Sequence, residues 1–201
     1  MSEASRNRAS LGAKVMLVPT PVWLVGTYDS KGKPNVMTVA WGGVCCSDPP
    51  CVAIALRKAT YTYDCILERR AFTVNIPGED LLKQTDLCGI LSGKSVEKFK
   101  EVKLTPVRSL RVDAPWVEEC PLVIECSLSH SFELGLHTQF IGEIVEVHAK
   151  PDILTEGSTD MSKIRPMLFD PGTCSYFSIC LLYTSDAADE GLGVDLGGRR
   201  I

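Results

Sequence analysis

Two β-rich runs, residues 15–29 (VMLVPTPVWLVGTYD) and 35–44 (NVMTVAWGGV), flank the turn SKGKP. That pattern predicts a hairpin, and Pro19 and Pro21 demote the start of the first run to an edge or entry segment, because proline offers no N–H to a ladder. After the Asp-Pro-Pro turn at 48–50, CVAIALR is apolar on both faces, as in a buried strand. TYTYDCILERR then has helical spacing: Tyr61, Cys65 and Ile66 share a face, and Thr60 stands where an N-cap sits. AFTVNIP is a further short strand, stopped by Pro77 and Gly78. EDLLKQTDLCGIL and SVEKFKEV read as two helices around a Ser-Gly-Lys turn. The pattern returns to period two in PLVIECSLSHSFEL and HTQFIGEIVEVHA, a hairpin with Gly135 between its strands. Residues 151–165 read as a polar connection or short helix.

Strands dominate, a helical insertion sits in the middle, and the regular βαβα order of a parallel sheet is missing. The expected class is mainly β with helical insertions, in a barrel or Greek-key arrangement. With 201 residues, 45% of them hydrophobic, one domain over residues 15–179 is expected, after an N-terminal arm at 1–14.

From Cys180 the composition breaks: CLLYTSDAADEGLGVDLGGRRI carries four of the sixteen glycines and no sustained period. CLLYTSDAADE resembles the in-frame translation of a transposase adapter used in sequencing libraries, and GVDLGGRRI resembles the opposing adapter. Residues 180–201 are therefore expected to be non-native, with a native C-terminus missing, and no function is assigned to Cys180, Tyr183 or the final Arg-Arg.

A formal net charge of −4 leaves no broad basic face, which argues against nucleic acid or an anionic membrane as the main partner. The opening segment has two arginines without an apolar stretch behind them, and no run of about 18 apolar residues occurs. A cytoplasmic protein is expected. Its nine cysteines sit in apolar surroundings and read as reduced, mostly buried thiols.

The chemistry has one strong candidate location. At Arg57-Lys58-Ala59-Thr60 a buried strand ends and a helix begins, so backbone N–H groups, the helix dipole, two cations and a hydroxyl converge as a phosphate monoester requires. Neighbouring strands carry Asn35, Val36, Met37, Thr38, Ala40 and Trp41, and Phe72, Thr73, Val74 and Asn75, which mix polar groups with apolar walls suited to a flat heterocycle. For Met37 and Trp41 alone, core packing is the simpler reading.

Cys45, Cys46 and Cys51 lack CxxC spacing and a nearby histidine, and adjacent strand residues point to opposite faces, so they read as buried wall and no metal is assigned. His137 heads an amphipathic strand, where it could meet a substrate or cap the strand; His130 and His148 read as solvent-facing. No GxGxxG, Walker loop, carboxylate pair or Gly-x-Ser-x-Gly elbow occurs, which leaves dinucleotide folds of that type and hydrolases without support.

These motifs together, from VPTPVWLVGTYDSKGKPNVMTVAWGGVCCSDPPCVAIALRKATYTYDCILERRAFTVNIP to HTQFIGEIVEV, resemble the flavin reductase-like FMN-binding family, its flavoredoxin members in particular. The resemblance runs from about residue 11 to 176. It implies a six-stranded antiparallel Greek-key split β-barrel, a homodimer, and one FMN per subunit. By motif, ring contacts fall on Asn35 to Thr38, Ala40 and Trp41, phosphate contacts on Arg57, Lys58, Thr60 and Tyr61, and a further flavin-side strand on Phe72 to Asn75. His137, Thr138 and Phe140 fall on the ring or donor side. The implied activity is electron or hydride transfer through FMN, from NAD(P)H or a redox protein. A non-enzymatic electron carrier is the alternative, and a thiol or metal redox protein a weaker one.

Overall fold

A computed structural model of the chain describes residues 8–182. Strands β1 (Thr20–Pro21), β2 (Trp23–Tyr28), β3 (Pro34–Val39), β4 (Gly42–Ser47) and β5 (Pro50–Arg57) lead into helix α1 (Tyr61–Arg69) and strand β6 (Ala71–Ile76). A 3-10 turn, Glu79–Leu81, opens helix α2 (Leu82–Ile90). The single helical turn α3 (Lys98–Glu101) and strands β7 (Pro106–Arg108) and β8 (Pro115–Val117) follow. Next comes a long hairpin, β9 (Leu122–Leu134) and β10 (His137–Ala149). Short elements finish the described chain: β11 (Leu154–Thr155), β12 (Ser158–Thr159), α4 (Met161–Ile164), β13 (Leu168–Asp170) and β14 (Ser175–Phe177).

Seven strands form one antiparallel sheet in the order β3-β2-β6-β9-β10-β5-β4. The edge strands β3 and β4 lie at opposite ends of that order, yet only Ala40 and Trp41 separate them in the chain. A link that short reaches no more than about 10 Å. The sheet therefore curls until its edges meet, and the Ala55 N–H, donating to the Trp41 carbonyl at 2.8 Å, carries the β4–β5 ladder into this link. The result is a mainly β barrel, split along one seam. It has seven strands where six were expected, because the 35–44 run breaks at Ala40–Trp41 and supplies both edges.

Period-two alternation builds a core on each face of this sheet. Inside the barrel, Val25, Ile54, Phe72, Val74, Cys126 and Phe140 pack together. On the outer face, Leu24, Val36, Val117 and Val123 pack beneath α2 and α3 through Cys88 and Phe99. Gly142 is required inside: a Cβ there would stand 2.5 Å from the Phe72 ring. As expected, the prolines leave the start of the first run outside the main sheet, where β1 pairs with β13. The second expected helix shrinks to one turn, Lys98–Glu101, and residues 151–165 form short turns and a two-residue ladder.

Two sequence expectations need correction. Cys51, Cys65, Cys88, Cys120 and Cys126 are buried, and burial raises the pKa of each thiol, to about 11 for Cys88. Cys45 and Cys46 instead are exposed on an edge strand, where the register slips between Val44 and Cys46. This bulge sets two residues against one on β5, so strict alternation does not apply at Cys45 and Cys46. His148 is not solvent-facing either: its Nε2 lies 2.7 Å from an oxygen of the fully buried Glu125, and its ring lies 4.9 Å from that of Trp116. Among the described residues no helix is long and apolar enough to cross a membrane. Most of the adapter-like tail, residues 183–201, lies outside the described residues.

Candidate functional site

The seam of the barrel opens into a cleft of about 350 Å³, within the range of about 300–1,000 Å³ typical of small-molecule sites. Met37, Thr38, Val39, Ala40 and Trp41 form one bank and Ala55, Leu56 and Arg57 the other. Helix α2 contributes Asp86, Gly89 and Ile90, and the C-terminal strands contribute Phe169 and Tyr176. A second cleft, of about 540 Å³, adjoins it, with Ala40, Trp41 and Ala55 lining both.

One end of the first cleft is cationic. Arg57 closes β5 directly opposite His137 on β10, and His137 lies parallel to Trp41 with centroids 6.4 Å apart. Thr60 occupies the N-cap of α1 in extended conformation (φ −76°, ψ 144°), but its hydroxyl donates to the Arg57 carbonyl at 2.8 Å rather than capping. The first N–H groups of α1 therefore receive no side-chain cap, and such groups favour an anion. The Arg57 guanidinium has no hydrogen bond or ion pair among the described residues. Lys94, which the sequence reading missed, donates to the Ala59 carbonyl at 3.1 Å and adds a cation to the same turn. Its loop can come that close because Gly93 has no Cβ, which would stand 2.4 Å from Asn35 Oδ1 and 2.5 Å from the Tyr61 ring.

The seam brings together seven of the residues singled out from the sequence: Met37, Thr38, Ala40, Trp41, Arg57, Thr60 and His137. The others stand elsewhere. Lys58 points to Glu133, 2.6 Å away, and that hydrogen bond raises its pKa. The Tyr61 hydroxyl donates to Asp29 at 2.7 Å and is pushed up to about 12 by that carboxylate and by burial. Asn35 is buried beneath the site, donating to Thr62 at 2.9 Å, and Val36 belongs to the outer core.

Phe72 and Val74 fill the barrel interior, while Thr73 donates to the Pro115 carbonyl and Asn75 to the Leu24 carbonyl. These four residues do not line the cleft, because β6 lies inside the sheet between β2 and β9 rather than at the seam. Thr138 and Phe140 are buried against Tyr63. In the missed wall, the Tyr176 hydroxyl donates to Asp86 at 3.1 Å. Asp86, Gly89 and Ile90 have i, i+3, i+4 spacing, a stripe that could have been read once α2 was known to face a ligand. Among the described residues no group of three or more His, Cys, Asp or Glu side chains is arranged to hold a metal ion.

A split barrel with an apolar and aromatic slot at its seam and a cationic, uncapped helix start at one end of that slot defines a class. The chain belongs to the flavin reductase-like family, whose domain matches residues 15–178. Among solved structures it is similar to the flavoredoxin of Desulfovibrio vulgaris (Miyazaki F), at 45% identity and a TM-score of 0.85, over 92% of this chain and 99% of that one. The flavoredoxin of Methanosarcina acetivorans matches at 29% identity and a TM-score of 0.83, over the same shares, 92% and 99%. A protein of Archaeoglobus fulgidus is 35% identical over 130 residues, which cover 65% of this chain and 73% of that protein.

Proposed function

We propose that this chain is an FMN-binding redox protein that holds its flavin in the seam cleft and passes electrons received from a reduced nicotinamide. The observation that carries the reading is the pairing, in one cleft, of an uncapped helix N-terminus flanked by Arg57 and Lys94 with an apolar slot walled by Met37, Ala40 and Trp41. The residues present fit the group. The cationic turn suits a terminal phosphate, and the slot suits a flat ring system. When bound, FMN supplies the hydride and electron chemistry.

The chain's own residues bind and orient. Arg57, Thr60 and Lys94 would anchor the phosphate, while Thr38, Ala40 and Trp41 would line the place of the ring. Trp41 and His137, parallel in the same cleft, would shield the ring. No side chain is required as a general base. Asn35 and Tyr61 support the turn from behind, against Gly93, while Lys58 and Phe72 to Asn75 are engaged elsewhere in the protein.

A second reading, an electron carrier served by a protein partner, is favoured by exposed apolar residues beside the cleft: Leu17, Trp41 and Val44. The same surface, with Val15 and Met16, supports pairing into a homodimer, which light scattering on the eluting protein tests directly. The deciding measurement for the function is the visible spectrum of the full chain with and without added FMN. A flavin band that stays with the protein after desalting is expected; a colourless protein that takes up no FMN would overturn the reading. Nicotinamide oxidation assayed without any partner protein then separates reductase from carrier.

A further inference from the structure

We propose that Cys46 and Cys51 form a reversible cross-strand disulfide in the β4–β5 hairpin, a thiol redox site distinct from the flavin cleft and served by small disulfides of the glutathione class. The two residues are direct antiparallel partners, one step from the Ser47–Pro50 pair that closes the turn. Directly opposed residues in an antiparallel ladder have Cα atoms about 4.5 or 5.5 Å apart, and both spacings fall inside the disulfide window of roughly 4.4–6.8 Å. Facing partners point to one side of the sheet, so closure turns the Cys46 thiol away from the Asp48 carbonyl toward Cys51. Cys45 is the extra residue of the bulge, with no partner on β5, and it lines the second cleft, which Cys46 does not.

The two sulfurs have unequal roles. Cys46 is exposed, its thiol donating to the Asp48 carbonyl at 3.3 Å. Cys51 is buried, and burial together with the neighbouring Cys46 and Cys45 raises its pKa. The accessible thiol attacks first, because the thiolate is the nucleophile and burial in apolar surroundings suppresses it. Cys46, as thiolate, attacks one sulfur of the small disulfide and expels one thiolate, which takes up the proton that Cys46 lost. Cys51 then gives up its proton and attacks the Cys46 sulfur, expelling the second thiolate, which is protonated in turn. Two protein thiols and one small disulfide become one protein disulfide and two small thiols, so two electrons leave the cysteine pair.

The test incubates the full-length chain, loaded with FMN, with oxidised glutathione, blocks the remaining thiols, and cleaves before aspartate. Cleavage before Asp48 separates residues 29–47, which carry Cys45 and Cys46, from residues 48–63, which carry Cys51 alone. Mass spectrometry is expected to find the two peptides linked, within monomeric protein, and to find them released by dithiothreitol. The link should persist in Cys45→Ser and vanish in Cys46→Ser, an exposed position where the change spares the core. Persistence of the link in Cys46→Ser, a Cys45–Cys46 bond, or glutathione held on Cys46 without closure would each overturn the proposal. The flavin band, recorded in parallel, is expected to be unchanged by oxidation.

Discussion

Strands β3 and β6 flank the same strand, β2, and carry similar sequences, PNVMTV and AFTVNI, each with polar residues set among aliphatic ones. Their fates differ. Edge strand β3 turns Met37 and Thr38 to the seam cleft. Central strand β6 spends its polar groups on the protein: Thr73 donates to the Pro115 carbonyl at 2.6 Å, and Asn75 Oδ1 accepts the Val117 N–H at 2.8 Å. On the next strand Glu125, the cross-strand partner of Thr73, accepts N–H groups from Leu110, Arg111 and Val112. The closed side of the barrel thus holds the 109–117 segment with its buried polar groups, whereas at the split side Thr38 lines the open cleft with its hydroxyl donated to the Thr85 carbonyl, and the Arg57 guanidinium lines it without a protein partner among the described residues. Similar composition is enclosed at a sheet centre and reaches an open cleft at an edge, because only the edge leaves the cleft side open.

The comparison predicts opposite consequences for mutations on its two sides. Asn75→Ala removes donors to Leu24 and Thr73 and the acceptor of Val117, all buried. The expected loss is about 3 kcal/mol or more, seen as a melting point lower by roughly 5–10 °C, with FMN affinity of the folded fraction unchanged. A large loss of affinity at constant stability would instead move β6 into the site. On the split side, Arg57→Ala is expected to weaken FMN binding about 10- to 100-fold, the worth of charge-assisted hydrogen bonds of about 1.5–3 kcal/mol. Lys58→Ala, which removes a side chain already paired with Glu133, should change it by less than about 3-fold. Flavin fluorescence titration separates the two, and equal effects would refute the division between them.

The order of elements was legible because period-two alternation and prolines act locally: the first hairpin, the buried 51–57 strand and α1 stand where the pattern put them. The turn we propose for the phosphate could be picked out for the same reason, since Arg57 and Thr60 lie close together in the chain. What the sequence hid was which strands form the edges of the barrel. That β3 and β4 are opposite edges follows from pairings such as His137 with Arg57, which span the chain, and only those pairings show β6 to be central. Asp86, Lys94 and Tyr176 reach the site through tertiary packing alone, and the bulge that exposes Cys45 and Cys46 is a slip of register that alternation cannot reveal.

The closed side should also announce itself through pH. Burial acts to raise the Glu125 pKa, but the backbone N–H groups of Arg111 and Leu110, together with His148, outweigh it and hold the carboxyl below its ordinary value. A carboxylate depressed in the folded state stabilises the fold above its unfolded pKa of about 4.3, and that contribution drains as pH falls through the lower folded value. Melting temperature should therefore fall with acidification below about pH 4.5, and by less in Glu125→Gln, which starts less stable and has no charge to lose. Parallel melting curves for the two proteins between about pH 6 and 3 would deny Glu125 this role.

The smallest effect is expected at Tyr176, where the split side borrows a structural hydrogen bond for a wall of the cleft. Burial and the Asp86 carboxylate push the Tyr176 hydroxyl up to about 12, so it remains a donor throughout the ordinary working range of pH. Tyr176→Phe deletes that donor while keeping the ring, 5.0 Å from Phe169, in place. The cost is about 1 kcal/mol in the attachment of β14 to α2, and no more than about a five-fold faster release of FMN. Because the group does not titrate between pH 6 and 10, the ratio of mutant to wild-type release rates should stay flat across that range. A ratio that changes with pH would mean that the hydroxyl gains or loses its proton there. Tyr176 would then belong with the ligand-directed groups of the seam and not with the hydrogen bonds that hold the barrel's walls together.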